Sequence, residues 1–366
     1  MSGKRILILS NNGLGLYKFR KELIEAMISH GNTVILAFPF DEYKERLTEE
    51  LGCECIDTPL ERRGTDPAKD LSLLNEYTRL MKRVKPSIVI TYTIKPNIYG
   101  GLAAKSRKIP YYSNITGLGT AFHTDGMMKA LVTALYKAAL SKASHVFFEN
   151  AENRNIFLSL GIIPENITTI LNGAGVNTNY YSFQTYPDPE SVPIKFLFIG
   201  RIMAEKGINE LFEAARRIKA EKINAEVNIA GYFDDDYKKQ TEALCDEGII
   251  RYLGFHDDVR PLLKETHCFI LPSYHEGMAN TVLEAASSGR PLIVSDISGC
   301  REAVENGENG LLIEPHSVES LFSAMKSFAE LSNDIRISMG EESRRIAVNK
   351  FDKNKVVDMV MEVIGL

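Results

Sequence analysis

Two tandem doubly wound α/β units are the fold class that this chain predicts, and three observations carry it. Short apolar runs alternate with stretches of helical periodicity along the whole sequence. The alternation starts twice, at residues 4–9 and again at 195–200. Between the two series, Pro187, Pro189 and Pro193 interrupt regular structure over residues 181–193.

Taken in order, residues 4–9 read as a strand leading into Ser10-Asn-Asn-Gly13-Leu-Gly15, a Gly-rich loop, and then a helix over about 17–30. On that helix Phe19, Leu23 and Met27 recur at four-residue spacing, and Gly31 stops it. The next strand is 33–38, with further strands expected at 53–57, 87–92, 110–115, 144–148 and 167–171. In the second series a strand over 195–199 precedes a helix over 207–222 that carries Leu211, Ala215 and Ile218 on one face. Strands then fall near 226–230, 249–253, 268–271, 291–294 and 310–313. The expected domains are 1–182 and 190–349, with a last helix, about 350–366, returning to the first. Open sheets of this kind bind ligands outside the carboxyl ends of their strands, and two of them leave a cleft suited to two substrates.

Composition narrows the class. With 44% hydrophobic and 25% charged residues in 366, the chain has the balance of a soluble globular protein. No apolar run approaches the 18 residues of a spanning helix, and the amino terminus leads straight into a strand. A cytoplasmic protein is expected, with the inner face of the plasma membrane as a place for peripheral contact. The five cysteines, at 53, 55, 245, 268 and 300, lack zinc spacing and read as reduced core thiols. The net charge of −5 is uneven, +5 over residues 1–180 and −10 over 181–366, so the basic half suits anionic lipid or an anionic acceptor. Nucleic acid is excluded as a partner by the absence of a strongly basic balance or a recognisable module.

The most informative stretch is Glu276-Gly-Met-Ala-Asn-Thr-Val-Leu-Glu284. Asn280 is the expected N-cap of a short helix that Gly289 and Pro291 stop, and Gly277 relaxes the backbone before it. Amides of Gly277, Met278, Ala279, Asn280 and Thr281 are then free to face an anion. Two carboxylates flank that site, Glu276 in the loop and Glu284 in the first turn. A carboxylate beside an anion requires a ligand that also brings hydroxyl donors, and a sugar nucleotide has both.

The Glu-x7-Glu spacing resembles the signature of retaining glycosyltransferases of family 4, which have the GT-B fold, two Rossmann-like domains. The resemblance implies that Glu276 touches the transferred sugar and Glu284 the ribose hydroxyls. Gly200-Arg201-Ile-Met-Ala-Glu-Lys206-Gly207 is similar to the family segment whose cations hold the donor diphosphate. Arg201, Lys206 and Glu276 are thereby the expected catalytic residues, because fixed cations stabilise charge growing on a departing phosphate. Gly13 and Gly15 lie where the family has a turn against the donor, whereas a dinucleotide fingerprint or P-loop would need a third Gly or a differently placed Lys. Neither a metal nor another cofactor is expected. The triple acid 234–236 reads as a helix start rather than a metal site.

Many family members carry a His after an Ile-Pro strand. Here the strand is Ile109-Pro-Tyr-Tyr-Ser-Asn-Ile-Thr116-Gly117-Leu-Gly119, with Thr116 at the expected position and His123 seven residues on. With Tyr92-Thr-Ile-Lys95-Pro-Asn97, this region looks like a subgroup that extends polyprenyl-diphosphate-linked saccharides for bacterial surface glycans. Lys95, Asn97, Thr116, Gly117 and His123 are its candidate acceptor or sugar-binding residues. Residues 127–142 form an expected helix with Met128, Leu131, Val132, Leu135 and Ala139 on one stripe and Lys129, Lys137 and Lys142 elsewhere. That stripe reads first as core-facing and alternatively as a face for an anionic bilayer. The function implied is transfer of a hexose or N-acetylhexosamine from a nucleoside-diphosphate sugar, UDP-linked by that resemblance, to a lipid-linked saccharide. A sugar-nucleotide 2-epimerase of the same fold and a non-catalytic sugar-nucleotide-binding subunit are the alternatives.

Overall fold

The structure, a computed structural model, describes residues 3–61, 66–119, 122, 126–187 and 193–366. The chain forms two compact units, Met1–Ala174 with Asn354–Leu366, and Gly175–Lys353. The first contains β1 (Arg5–Leu9), α1 (Gly13–Ser29), β2 (Thr33–Phe38), α2 (Lys44–Glu49), β3 (Glu54–Asp57), α3 (Pro67–Val84) and β4 (Ile88–Tyr92). It continues through the π-helical turn Pro96–Gly100 into α4 (Gly101–Ser106), β5 (Tyr111–Ile115), α5 (Met127–Leu140), β6 (His145–Phe148), α6 (Ala151–Ser159) and β7 (Thr168–Ile170). The second contains β8 (Ile194–Ile199), α7 (Ile208–Ala220), β9 (Ala225–Ala230), α8 (Lys238–Asp246), β10 (Arg251–Gly254), α9 (Arg260–Lys264) and β11 (Cys268–Leu271). It ends with α10 (Asn280–Ser287), β12 (Leu292–Ser295), β13 (Gly310–Ile313), α11 (Val318–Glu330) and α12 (Asn333–Lys350), and α13 (Lys353–Ile364) closes the chain.

Both sheets are parallel. Their orders are β3-β2-β1-β4-β5-β6-β7 and β10-β9-β8-β11-β12-β13, so the winding reverses between β1 and β4 and between β8 and β11. These reversal points are where an open sheet offers a crevice at its carboxyl edge.

Period-two alternation explains the near-continuous apolar runs. On β1, Leu7 and Leu9 belong to one core and Ile6 and Ile8 to another, and β2 divides in the same way, Ile35 and Ala37 against Val34, Leu36 and Phe38. One face is covered by α3, through Leu73, Tyr77 and Leu80, and by Tyr136 of α5 and Phe157 of α6. The other is covered by α1, through Leu16, Leu23 and Met27, and by α13, whose Val356, Val360 and Ile364 recur every fourth residue with Val357 and Met361 beside them. The last helix of the chain is thus part of the first unit's core.

Some expectations change. The unit boundary falls at Ala174 and Gly175, before the proline-rich stretch, because residues 176–187 bond to the second unit. Gln184 N–H donates to Ser288 O at 3.2 Å, and the Tyr186 hydroxyl donates to His267 O at 2.9 Å. Helix α1 begins at Gly13, so the glycines expected in a loop form its first turn, with Asn12 as N-cap. The α5 stripe divides along its length. Tyr136, Ala139 and Leu140 are buried and Val132 and Leu135 pack on the core, while Met127, Met128 and Leu131 at the other end are exposed. Among the described residues no helix is long and apolar enough to cross a membrane.

Because α13 fills a face of the first unit, Met361→Ala or Ile364→Ala should each lower stability by about 2–5 kcal/mol. Urea unfolding followed by circular dichroism measures this loss, and unchanged midpoints in both variants would contradict the packing described.

Candidate active site

At the reversal point of the second sheet, the loops after the adjacent strands β8 and β11 carry the charged residues singled out in the sequence. Lys206 Nζ and Glu276 Oε1 form a close ion pair, with side chains only 17% and 11% exposed. Backbone geometry forces that meeting. Gly207 is left-handed, at φ 69°, and a Cβ there would lie 2.0 Å from the carbonyl oxygen of Pro272, just past β11. The Lys206 turn therefore lies directly on the segment that delivers Glu276. From the far side Gly299, at φ 90°, presses on Glu276 and Gly277, where a Cβ would come within 2.7 Å of the Gly277 carbonyl oxygen. Beneath the pair, burial and then the Glu276 charge lift the Cys300 thiol well above its ordinary value, so it stays neutral.

Arg201 sits on the same β8 loop. Its Nη1 donates to Asp234 Oδ2 at 2.6 Å, and the next acid, Asp235, accepts from the Ala204 amide at 3.2 Å. This overturns the reading of residues 234–236 as a helix start, since α8 begins at Lys238 with Tyr237 as its N-cap. The acids hold the cationic loop in shape instead. Sequence reasoning missed that role, although their place just after β9, the neighbour of β8, was the available signal.

Around α10 the Glu motif is built differently from its sequence reading. Ala279 is the N-cap and Asn280 the first helical residue; the Asn280 side chain makes no cap bond. A backbone bridge displaces that cap, because the Ala279 amide donates to Gly299 O at 2.8 Å. Ala279 is thus unavailable as an anion donor, whereas the amides of Asn280 and Thr281, at the first two helical positions, have no intrahelical acceptor. Met278 and Ala279 are buried, and Gly277 is partly so. Glu284 lies past the first turn, which contains no acid.

In the first unit, Gly13 and Gly15 occupy a helix start that is already capped. Asp41 Oδ2 accepts from the Gly13 amide at 2.7 Å and Asn12 Oδ1 from the Gly15 amide at 2.6 Å. A carboxylate at this position takes the place an anion would otherwise have. Asn97 is 1% exposed, accepts from Thr91 Oγ1 at 2.6 Å and donates to Asn114 O at 2.8 Å. It joins β4 to β5, which corrects its reading as a ligand contact. Lys95 pairs with Asp70 at 2.8 Å, and the Tyr99 hydroxyl donates to the other oxygen of that carboxylate. Thr116 and Gly117 are partly exposed just past β5, while His123 lies outside the described residues.

Among the described residues Glu305, Glu308 and Glu342 approach closely enough to share an ion, but Arg345 already pairs with Glu305 and Glu342 on the exposed surface.

Two family models match the chain, one for glycosyl transferase 4-like domains over residues 5–150 and one for glycosyl transferases group 1 over 193–330. A curated relative from Campylobacter jejuni, N,N'-diacetylbacillosaminyl-diphospho-undecaprenol alpha-1,3-N-acetylgalactosaminyltransferase, is 27% identical over 98% of both chains. A second, from Escherichia coli, is UDP-Gal:alpha-D-GlcNAc-diphosphoundecaprenol alpha-1,3-galactosyltransferase, 27% identical over 81% of this chain and 79% of its own. Among solved structures, Anabaena HepE in complex with UDP superposes with a TM-score of 0.79 at 17% identity over 99% of both chains.

Gly207→Ala meets both a left-handed backbone and the Pro272 carbonyl, whereas at Gly248, φ 63°, the nearest atom is 3.6 Å away at the end of the Lys219 side chain. Gly248→Ala should therefore cost about 1–2 kcal/mol and Gly207→Ala clearly more. Thermal unfolding of the two variants measures the difference, and equal losses would contradict the close approach of the two loops.

Proposed function

The chain belongs to the glycosyltransferases, as a GT-B enzyme with a 4-like domain and a group 1 domain, and from that premise we propose a retaining, metal-independent transfer from a UDP-sugar to a polyprenyl-diphosphate-linked saccharide. The transferred sugar is a hexose or N-acetylhexosamine, and the setting is bacterial surface-glycan assembly. The observation that carries the reading is the Lys206–Glu276 pair at the reversal point of the second sheet. It sets a cation for a diphosphate against a carboxylate for sugar hydroxyls. The named relatives support the class of acceptor, and as transferases they give the 2-epimerase and the binding subunit no support.

In this reading the donor diphosphate lies against Lys206 and Arg201 and receives the amides of Asn280 and Thr281. Glu276 exchanges Lys206 for hydroxyls of the transferred sugar, and Glu284 accepts from the ribose. As the bond between the anomeric carbon and the β-phosphate oxygen breaks, charge grows on the diphosphate, and the two cations stabilise it. The acceptor oxygen bonds to the anomeric carbon on the face the diphosphate leaves, and its proton passes to a phosphate oxygen. No enzyme nucleophile takes part. With positive charge supplied by Arg201 and Lys206, no divalent ion is needed. In the first unit Gly13 and Gly15 contribute by shaping the start of α1, and Lys95, Thr116 and Gly117 bind the acceptor.

Arg201→Ala and Glu276→Ala should each lose on the order of 10²–10³ in kcat while remaining folded. The assay is transfer from UDP-N-acetylgalactosamine or UDP-galactose to an undecaprenyl-diphosphate-linked sugar in EDTA, with the anomeric configuration read by NMR. Near-normal turnover in both variants refutes the residue assignment; an inverted product or loss of activity in EDTA refutes the mechanism.

A lipid-linked acceptor also calls for membrane contact. Met127, Met128 and Leu131 form an exposed apolar end on α5, with Lys137 and Lys142 further along. Sedimentation with vesicles containing phosphatidylglycerol should fall for Leu131→Asp and for Lys137→Ala with Lys142→Ala; unchanged sedimentation in all of them removes this helix as the contact.

A further inference from the structure

Residues 177–186, which run into the proline-interrupted stretch that begins at residue 181, form a strap along α10. The Arg344 Nη1 donates to the carbonyls of Thr178, Tyr181 and Ser287 at 3.1, 3.0 and 2.8 Å. Ser287 Oγ donates to the Tyr181 carbonyl at 2.6 Å. Further on, Phe183 packs on Gly289 closely enough that a Cβ there would lie 2.6 Å from its ring. The fully buried Arg290 donates to the carbonyls of Gln184 and Thr185 at 2.8 and 3.0 Å.

This anchoring fixes where Tyr181 points. Its carbonyl is held by Ser287, three residues on from Glu284 along the same helical face, and its hydroxyl interacts with the Glu284 carboxylate. One tyrosine thus spans one turn of α10. Its ring is partly buried against the second core, so the hydroxyl has little freedom to leave the carboxylate. Burial, then the Glu284 charge, holds the phenol far above its ordinary value, and it stays a donor at any physiological pH. Nearby, Arg260 grips Asp258 and covers the Tyr180 ring at 3.8 Å.

We infer that Tyr181 is a positioning residue for nucleotide recognition: it fixes the Glu284 carboxylate in the rotamer that accepts from the ribose hydroxyls. The inference rests on the reading of Glu284 as the ribose-binding acid. A free glutamate on a helix surface samples several rotamers, and ordering one on binding weakens the complex. A hydroxyl donor on an immobilised backbone removes that loss in advance. The strap is therefore part of the nucleotide site.

The test compares the dissociation constants of UDP and 2′-deoxy-UDP by calorimetry, which needs no acceptor, in the whole protein and in Tyr181→Phe, Glu284→Gln and the double variant. Wild type should prefer UDP by about tenfold or more, as expected for a hydrogen bond to a charged group. Tyr181→Phe, which keeps the ring and every backbone anchor, should weaken UDP several-fold and leave 2′-deoxy-UDP nearly unchanged, shrinking the preference. In the Glu284→Gln background it should have no further effect. If Glu284→Gln abolishes the preference while Tyr181→Phe leaves it intact, or weakens both nucleotides equally, Tyr181 is structural only and the inference is overturned. If Glu284→Gln itself keeps the preference, the ribose reading of Glu284 fails, and the inference falls with it.

Discussion

A lysine and a glutamate 70 residues apart meet in a space that leaves little water around either, and much of the second unit is arranged to let them meet. Taking two charges partly out of water costs several kcal/mol unless each finds a well-placed partner. The pair is thus poor evidence for stability as such. What it secures is position. Each group is held at a fixed place by the other, with its charge already oriented. Preorganisation of this kind matters for charge that develops during a reaction, because the site need not reorganise as that charge appears.

Backbone proximity makes the meeting possible. At Gly207 the turn lies against Pro272, at Gly299 a second loop lies against Gly277, and at Gly231 a Cβ would lie 1.8 Å from the Gly200 carbonyl oxygen. These glycines interlock the loops after β8, β9, β11 and β12. Hydrogen bonds then fix the polar members, Asp234 on Arg201 and Gly299 on Ala279. The site is a stack of carboxyl-edge loops in which each backbone excludes side chains from the next.

How much of this was legible follows from what each signal measures. Apolar runs report burial, so the strands were legible to within a residue or two, and 33–38, 268–271 and 310–313 appear with those same bounds. Spacing reports register along one element, so Glu276, Arg201 and Lys206 could be placed at strand ends. Neither signal reports which backbone lies opposite. Asn280 has the composition of an N-cap, yet Gly299, nineteen residues on, bonds the preceding amide and moves the helix start. Asn97 is a polar residue past a strand, as a ligand contact would be, yet it points inward to Thr91 and Asn114. Asp41, which caps Gly13, follows the neighbouring strand and could be linked to it only once the β1–β2 pairing was known.

The proline-rich stretch makes the same point at the scale of the whole fold. Prolines remove backbone donors and forbid a helix, which marks an irregular path but leaves its partners unspecified. Here the path is taken up by α10 and α12, so the second unit runs unbroken from Gly175 to Lys353. Its two ends are clasped together, Val176 N–H to Phe351 O at 2.8 Å and Lys353 N–H to Val176 O at 2.9 Å. In chain order the second unit is an insertion between β7 and α13 of the first. On the face where α1 and α13 pack with Ile6, Ile8, Leu36 and Ile90, the first unit therefore stays incomplete until α13 follows the second unit, whereas the second closes its core from one continuous segment. That asymmetry follows from connectivity alone, and it places Arg201, Glu276, Glu284 and Tyr181 together in the unit that completes itself first during synthesis.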